Sequence, residues 1–288
     1  MKIRNYLLTA TLVAASIVST YFATASTTAQ QNAQPAPVSA DNEYQVAAVL
    51  YMQKAGEYRA LAYQAFNLAQ WQLDADFDKK NVKKLPKEER KRARAVVVDV
   101  DETVLDNSPQ QAYSIKVRQP FDLKTWYAWG EKREAKAIPG AVDFLKYAAA
   151  KGVKIFYVSN RDEVQKQATI DNLKAAGFPD ATSETVILRQ TESSKEERRA
   201  AISSKYRIVI LMGDNLDDFS NVFERKSVSD RFTEVDKARA DFGKRFIVLP
   251  NAMYGTWENA IYEYGRLTEA QKTQKRNSSL EAFQLTTP

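Results

Sequence analysis

From residue 94 onward the chain alternates short apolar runs, rich in β-branched residues, with segments of helical periodicity. This alternation restricts the fold more than any other feature. Strands read at 95–100, 154–159, 185–188, 207–212 and 245–249, and helices at 139–151, 163–176, 195–204 and 230–242. Most of the strands lack polar alternation, as expected of parallel strands buried on both faces. Gly152 and Gly177 stand where helix C-terminal caps belong. The rhythm implies an α/β fold: a doubly wound, mostly parallel sheet flanked by helices, with its site at the carboxyl ends of the strands. The stretch 104–138, which holds Trp126, Tyr127 and Trp129, breaks the rhythm and reads as an insertion above the sheet. Ahead of it, Asp41 caps a helix running to about Leu73, with Leu50, Tyr58, Leu61, Ala65 and Leu68 recurring at threes and fours. This segment, 41–78, is expected to pack with the insertion as a small helical lobe. The core is expected over 95–270, with a tail at 271–288.

The amino terminus carries a different signal. Lys2 and Arg4 precede an uncharged run over 6–25, which ends in the small residues Ala23, Thr24 and Ala25. Residues 1–25 read as a secretory signal peptide, removed before folding, with an uncleaved membrane anchor as the alternative. Residues 26–40, rich in Ser, Thr, Gln, Ala and Pro, read as a disordered tether. The expected compartment is periplasmic or secreted. The segment 79–94 carries nine Lys and Arg residues. It reads as a solvated basic linker, or else as a contact for an anionic surface. No aromatic residue interleaves with these cations, so nucleic acid is not an expected partner.

The chain contains no His and no Cys. That excludes Ser-His-Asp and Cys-His nucleophiles, His- or Cys-ligated zinc, disulfides and a lipid anchor on a terminal Cys. A hydrolase built on this chain must work with carboxylates, hydroxyls, lysines and a hard, oxygen-liganded metal. The first strand runs directly into such groups, at Asp99-Val100-Asp101-Glu102-Thr103. Side chains alternate along a strand, so Asp99 and Asp101 start on one side. They either hold a cation, or one attacks while the other transfers protons; alone, the motif also fits a strand-end turn that caps backbone groups. A second strand ends in Gly213-Asp214-Asn215-Leu216-Asp217-Asp218-Phe219. Two acidic clusters on one sheet edge repel unless a cation sits between them, and Mg²⁺ suits such a site. After the 154–159 strand, Ser159-Asn160-Arg161-Asp162 offers a hydroxyl and a helix N-terminus to an anion, with an ordinary N-cap as the plainer reading. Lys195 starts a helix and could balance phosphoryl charge, with Lys205 as the runner-up.

Taken in order, DVDET, SNRD, a lysine and GDNLDDF resemble the haloacid-dehalogenase (HAD) superfamily of aspartate-nucleophile phosphatases. More narrowly, the chain is similar to the class C bacterial acid phosphatases, also called the lipoprotein e family of 5′-nucleotidases, over about 41–270. The resemblance implies a HAD-like fold and an aspartyl-phosphate route. Asp99 would be the nucleophile, and Asp101 the acid and then the base. Ser159 would bond the phosphoryl oxygens, with Asn160 and Arg161 near the substrate and Lys195 stabilising charge. One Mg²⁺ per chain would be held by the side chains of Asp99 and Asp214 and by the carbonyl of Asp101. Asp218 would order its waters, with Asp217 close by. Trp126 and Tyr254 would grip a nucleobase, for which core packing is the plainer reading. The family's lipidated Cys is missing, so tethering by lipid does not carry over. The expected function is a secreted, Mg²⁺-dependent acid phosphatase acting on small phosphomonoesters, with nucleoside 5′-monophosphates foremost. The alternatives are a broad phosphatase or phosphotransferase without nucleotide preference, and a non-enzymatic binding protein on the same fold. The family also allows a homodimer, for which the sequence singles out no patch.

Overall fold

A computed structural model of the chain describes residues 42–284. The expected signal peptide, the tether and the capping role of Asp41 fall outside these residues. Seven strands follow one another: β1 (Arg94–Val98), β2 (Leu105–Asp106), β3 (Lys136–Ala137), β4 (Lys154–Asp162), β5 (Val186–Arg189), β6 (Arg207–Gly213) and β7 (Phe246–Val248). Five of them form a parallel sheet in the order β5-β4-β1-β6-β7, while β2 and β3 pair antiparallel as a separate ribbon.

The unalternating apolar runs have the cause the sequence implies, because each strand is buried on both faces. Val96, Val98, Ile155, Tyr157, Ile210 and Met212 face one core layer. Ala95, Val97, Phe156, Val158 and Leu211 face the other. The first layer is closed by the helices Gly56–Phe77 and Ala141–Ala150, through Ala62, Phe66, Leu73, Phe144 and Leu145. The second is closed by Ile202, Phe219, Phe223 and Phe246, with the rings of Phe219 and Phe246 stacked at 5.1 Å. After β1 the chain winds outward to β4 and β5, then returns to the other side of β1 for β6 and β7. The crevice where the winding reverses therefore lies above the tips of β1 and β6, the place where open α/β sheets bind ligands.

Several boundaries differ from the sequence reading. The helix expected from Asp41 to Leu73 is broken. A 3₁₀ turn, Glu43–Gln45, leads into the helix Val46–Lys54, which stops where Ala55 turns extended (φ −81°, ψ 129°). A new helix begins at Gly56, a residue with low helix propensity, and runs past Leu73 to Phe77. The basic segment is not a bare linker. It forms the short helices Lys79–Val82, capped by Asp78, and Lys87–Lys91. The insertion holds β2, the helices Ser108–Lys116 and Leu123–Lys132, and β3. Its Ser108 hydroxyl accepts a hydrogen bond from Gln53 Nε2 (3.0 Å), which ties it to the Val46–Lys54 helix. The helix read at 230–242 is Val228–Lys237. The tail opens with a helix, Glu269–Ser278, capped reciprocally by Thr268 and Gln271. No helix among the described residues is long and apolar enough to cross a membrane.

Candidate active site

β1 ends at Val98, and the next backbone N–H, that of Asp99, donates to the Met212 carbonyl of β6 (2.9 Å). Asp99 is thereby pinned at the switch-point crevice, only 8% exposed. Asp214 follows Gly213 at the tip of β6. The next turn, Leu216–Asp218, is closed by a capping box in which the Asn215 N–H donates to Asp218 Oδ2 (3.0 Å). That turn folds Asp218 back over Gly213 so closely that a Cβ at 213 would overlap its carboxyl group. Glycine is required here for close approach. Carboxylate oxygens of Asp99, Asp214 and Asp218 come within 4.8 Å of one another. Asp217, one residue away, faces elsewhere, toward Arg231 (3.4 Å) and Thr256 (3.3 Å).

Lys195 sits just before the helix Glu196–Lys205 and is 5% exposed. Its ammonium group donates to Asp99 Oδ1 and to Asp218 Oδ1 (2.7 Å). Lys205, at the far end of the same helix, is exposed and plays no part in this cluster. Two further contacts hold Asp214: Asn251 Nδ2 donates to its Oδ2 (2.8 Å), and the Thr103 hydroxyl to its Oδ1 (3.2 Å). Three carboxylates meet one ammonium, which leaves two negative charges unbalanced. The protonation behaviour reflects that excess. Burial, reinforced by Asp218 and Asp101 and only partly countered by Lys195, pushes the Asp99 carboxyl up to about 7. Burial, together with Asp218 and Asp99, holds Asp214 well above the ordinary carboxylate range. Burial disfavours the charge on Lys195, but the carboxylates of Asp218 and Asp99 outweigh it and raise its proton affinity. The donor set is all oxygen, buried and short of positive charge, which matches a hard divalent cation.

Asp101 belongs to a second, adjoining cluster. Its Oδ1 accepts from Arg161 Nη2 (2.8 Å), Arg161 Nε (3.0 Å) and Asn107 Nδ2 (2.8 Å), and its Oδ2 accepts from the Ser159 hydroxyl (3.1 Å). Trp129 Nε1 holds Asn107 from behind (2.8 Å). One sequence expectation needs correction. Ser159 does not cap a helix, because β4 continues to Asp162, where it pairs with Arg189 of β5. The extended backbone turns its hydroxyl onto Asp101 and onto the N–H of Arg161 (3.0 Å). Arg161, expected near the substrate, lines the crevice, is 3% exposed and is engaged by Asp101 and Thr169 (3.1 Å). Asn160 is exposed, and its Oδ1 accepts from Arg198 Nη2 (2.6 Å).

Above these clusters opens a cavity of about 560 Å³, lined by Asp99, Asp101, Ser159, Lys195 and Asp214 at its floor. Trp126 and Tyr254 both line its walls. Trp126 Nε1 donates to Gln165 Oε1 (3.1 Å), and its ring lies 5.4 Å from the Arg161 guanidinium. Pro120, Phe121 and Leu123 extend the apolar wall, and Glu269 and Lys272 of the last helix close the rim. Sequence reasoning passed over Asn107, Thr103, Asn251 and Arg198. The first two lie inside the DVDETVLDNS run. Asn251 follows a strand tip, and Arg198 lies one helical turn beyond Lys195, so position alone could have marked them.

The sequence model of the family described as HAD superfamily, subfamily IIIB (acid phosphatase) matches residues 8–257. The fold is similar to that of the class C acid phosphatase from Bacillus anthracis. That likeness has a TM-score of 0.78 and 44% identity, and covers 84% of this chain and 99% of the other. A structure of the same enzyme with tungstate bound matches with the same TM-score and coverage, at 43% identity. Acid phosphatase 1 of Solanum lycopersicum is 30% identical over 133 residues, 42% of this chain. The chain thus matches half the length of that relative.

Proposed function

Because the chain belongs to the subfamily IIIB acid phosphatases of the HAD superfamily, and is therefore a phosphoric monoester hydrolase of the class C type, we propose that it is an exported, Mg²⁺-dependent enzyme acting on small phosphomonoesters, nucleoside 5′-monophosphates among them. One observation carries this reading: a buried nucleophile candidate, Asp99, stands at the switch-point crevice between Lys195 and two further carboxylates. The tungstate held by the Bacillus anthracis relative, a tetrahedral oxyanion like phosphate, supports it.

The chain's own groups divide the work. An Asp99 oxygen attacks phosphorus in line, the bond to the leaving oxygen breaks, and an aspartyl-phosphate forms. Asp101, oriented by Arg161, Asn107 and Ser159, delivers a proton to the leaving oxygen. It then takes one from the water that releases orthophosphate. Lys195 balances charge on the phosphoryl oxygens. Asp99 and Asp214 through their side chains, Asp101 through its carbonyl, and Asp218 would hold Mg²⁺. The cation supplies the positive charge that lets a carboxylate approach a phosphate dianion. The aromatic wall formed by Trp126 and Tyr254 takes the leaving group, and with it the nucleobase.

The decisive experiment measures turnover of a nucleoside monophosphate and of an aryl phosphate by wild type and Asp99→Asn, each with Mg²⁺ and with EDTA. The reading requires loss of activity in the variant and in EDTA on both substrates. Wild-type turnover by Asp99→Asn would discard the nucleophile, and turnover in EDTA would discard the metal.

A further inference from the structure

The opposite edge of the sheet carries a feature that the catalytic reading does not use. The amino-terminal ends of β1, β6 and β7 border a second cavity of about 540 Å³. Arg92, Arg207, Lys244 and Arg245 line it, together with two acids, Asp76 and Glu89. Both acids are already engaged. Asp76 accepts from both terminal nitrogens of Arg207 (2.6 Å each) and from Arg94 Nε (2.6 Å). Glu89 pairs with Arg92 (3.0 Å). Lys244 and Arg245 are exposed and form no ion pair among the described residues. Arg207 Nε is buried with no acceptor. Four lining cations against two acids leave two positive charges in excess. Ser203, Tyr206 and Gln72 add hydroxyl and amide donors to the wall.

The rim extends this field. Asn81 Nδ2 donates to the Ala75 carbonyl (2.9 Å), which fastens the basic segment beside the cavity wall. Along that segment Lys79, Lys80, Lys83, Lys84, Lys87 and Lys91 are all exposed, and none pairs with an acid among the described residues. Like charges held this close raise the local potential and draw in anions. The seven residues of β6 separate this cavity from Asp214, about 20 Å along the strand, so it is no extension of the catalytic crevice.

We propose that this cavity is a second, non-catalytic anion site, taking a small ligand that bears two or more phosphate groups. The two excess charges of the wall, added to the unpaired lysines of the rim, exceed what one orthophosphate would balance. The concave wall, with no aromatic residue in the basic segment, favours a compact ligand over an extended surface.

The test is calorimetric titration of the full chain, in EDTA at low salt, with methylenediphosphonate, whose P–C–P bridge resists hydrolysis, and with orthophosphate. The diphosphonate should bind about tenfold more tightly than orthophosphate. Binding should weaken about tenfold in the Lys244→Glu/Arg245→Glu variant, and less, by about threefold, in Lys83→Glu/Lys84→Glu. Phosphomonoester turnover with Mg²⁺ should stay unchanged in both variants, which also reports that they fold. Added salt should weaken the binding. Equal diphosphonate affinity in wild type and Lys244→Glu/Arg245→Glu would overturn the proposal. So would retention on anionic phospholipid vesicles without any diphosphonate binding, since that marks a membrane-facing surface instead.

Discussion

Replacing Asp99 by Asn removes one of three carboxylates crowded around a single ammonium group, and the consequence for stability can be worked out. The folded protein holds the Asp99 proton to about pH 7, against 3.8 for the free side chain. A carboxyl group with a raised folded-state value costs nothing below its unfolded value. It destabilises the fold progressively as pH rises between the two, and costs a constant amount above both. Between pH 5 and pH 7 the cost grows by about 1.4 kcal/mol per pH unit, close to 3 kcal/mol in all. Asn is a permanently neutral stand-in for the protonated acid, so the metal-free variant should gain that much on wild type between pH 5 and pH 8. Comparing two pH values cancels any pH-independent effect of the substitution, including the changed bond to Lys195. At about 2–4 °C per kcal/mol for a chain of this size, the Tm difference between variant and wild type should shift by about 6 °C or more in the variant's favour. Mg²⁺ should offset most of that gain at pH 8. A cation at about a hundred times its Kd stabilises wild type by about 2.7 kcal/mol, whereas the variant has lost a ligand. Thermal melts at both pH values, in EDTA and in excess Mg²⁺, read this directly. A Tm difference that does not change with pH in EDTA, or a Mg²⁺ shift that survives intact in the variant, refutes the reasoning.

Three other changes probe separate parts of the structure. Trp126→Ala should lower kcat/KM for a nucleoside monophosphate by about tenfold, the worth of one stacked base, and leave a small aryl phosphate nearly unaffected; equal losses on both substrates would reject base stacking. Gly213→Ala forces Asp218 away from the acidic cluster. It should cost about 1–3 kcal/mol by overpacking and raise the Mg²⁺ concentration needed for half-maximal activity, and a normal metal requirement in a stable variant would contradict the geometry. Asp76→Ala strands the guanidinium groups of Arg94 and Arg207 and should destabilise by about 3 kcal/mol in urea melts near neutral pH. Burial opposes ionisation of Asp76, but the two guanidinium groups outweigh it and hold its carboxyl below the usual range. Its contribution is therefore present above the ordinary carboxylate value and lost as pH falls through the folded one; a penalty that persists undiminished at strongly acid pH would contradict this.

Strand-end acids were legible because their placement is local. A β-branched run buried on both faces predicts a parallel strand, and such a strand delivers whatever follows it to the carboxyl edge; Asp99 and Asp214 need nothing more. The choice between neighbours was not legible in that way. Asp217 and Asp218 are adjacent, and only the Asn215–Asp218 capping box decides which one folds back over Gly213. The reading of Ser159 as a helix cap failed because β4 finds a partner in β5 as far as Asp162–Arg189. Pairing with a distant strand overrides the local preference of a Ser-Asn-Arg-Asp run. The expected helix from 41 to 73 missed its break at Ala55 for a related reason: its periodicity continues through the break, while the backbone does not.

By itself, then, the order of residues determined the layered α/β architecture, the exclusion of His and Cys chemistry, and the edge of the sheet where carboxylates collect. Each follows from periodicity, composition or nearest-neighbour geometry. The tertiary structure alone decided that Arg161 is engaged by Asp101, that Lys195 and not Lys205 meets the acids, and that residues near 76, 92, 207 and 245 surround one cationic cavity. Those outcomes depend on which distant segments share a volume. A side chain's partners and charge balance are set by what packs against it in space, and chain order does not encode that directly.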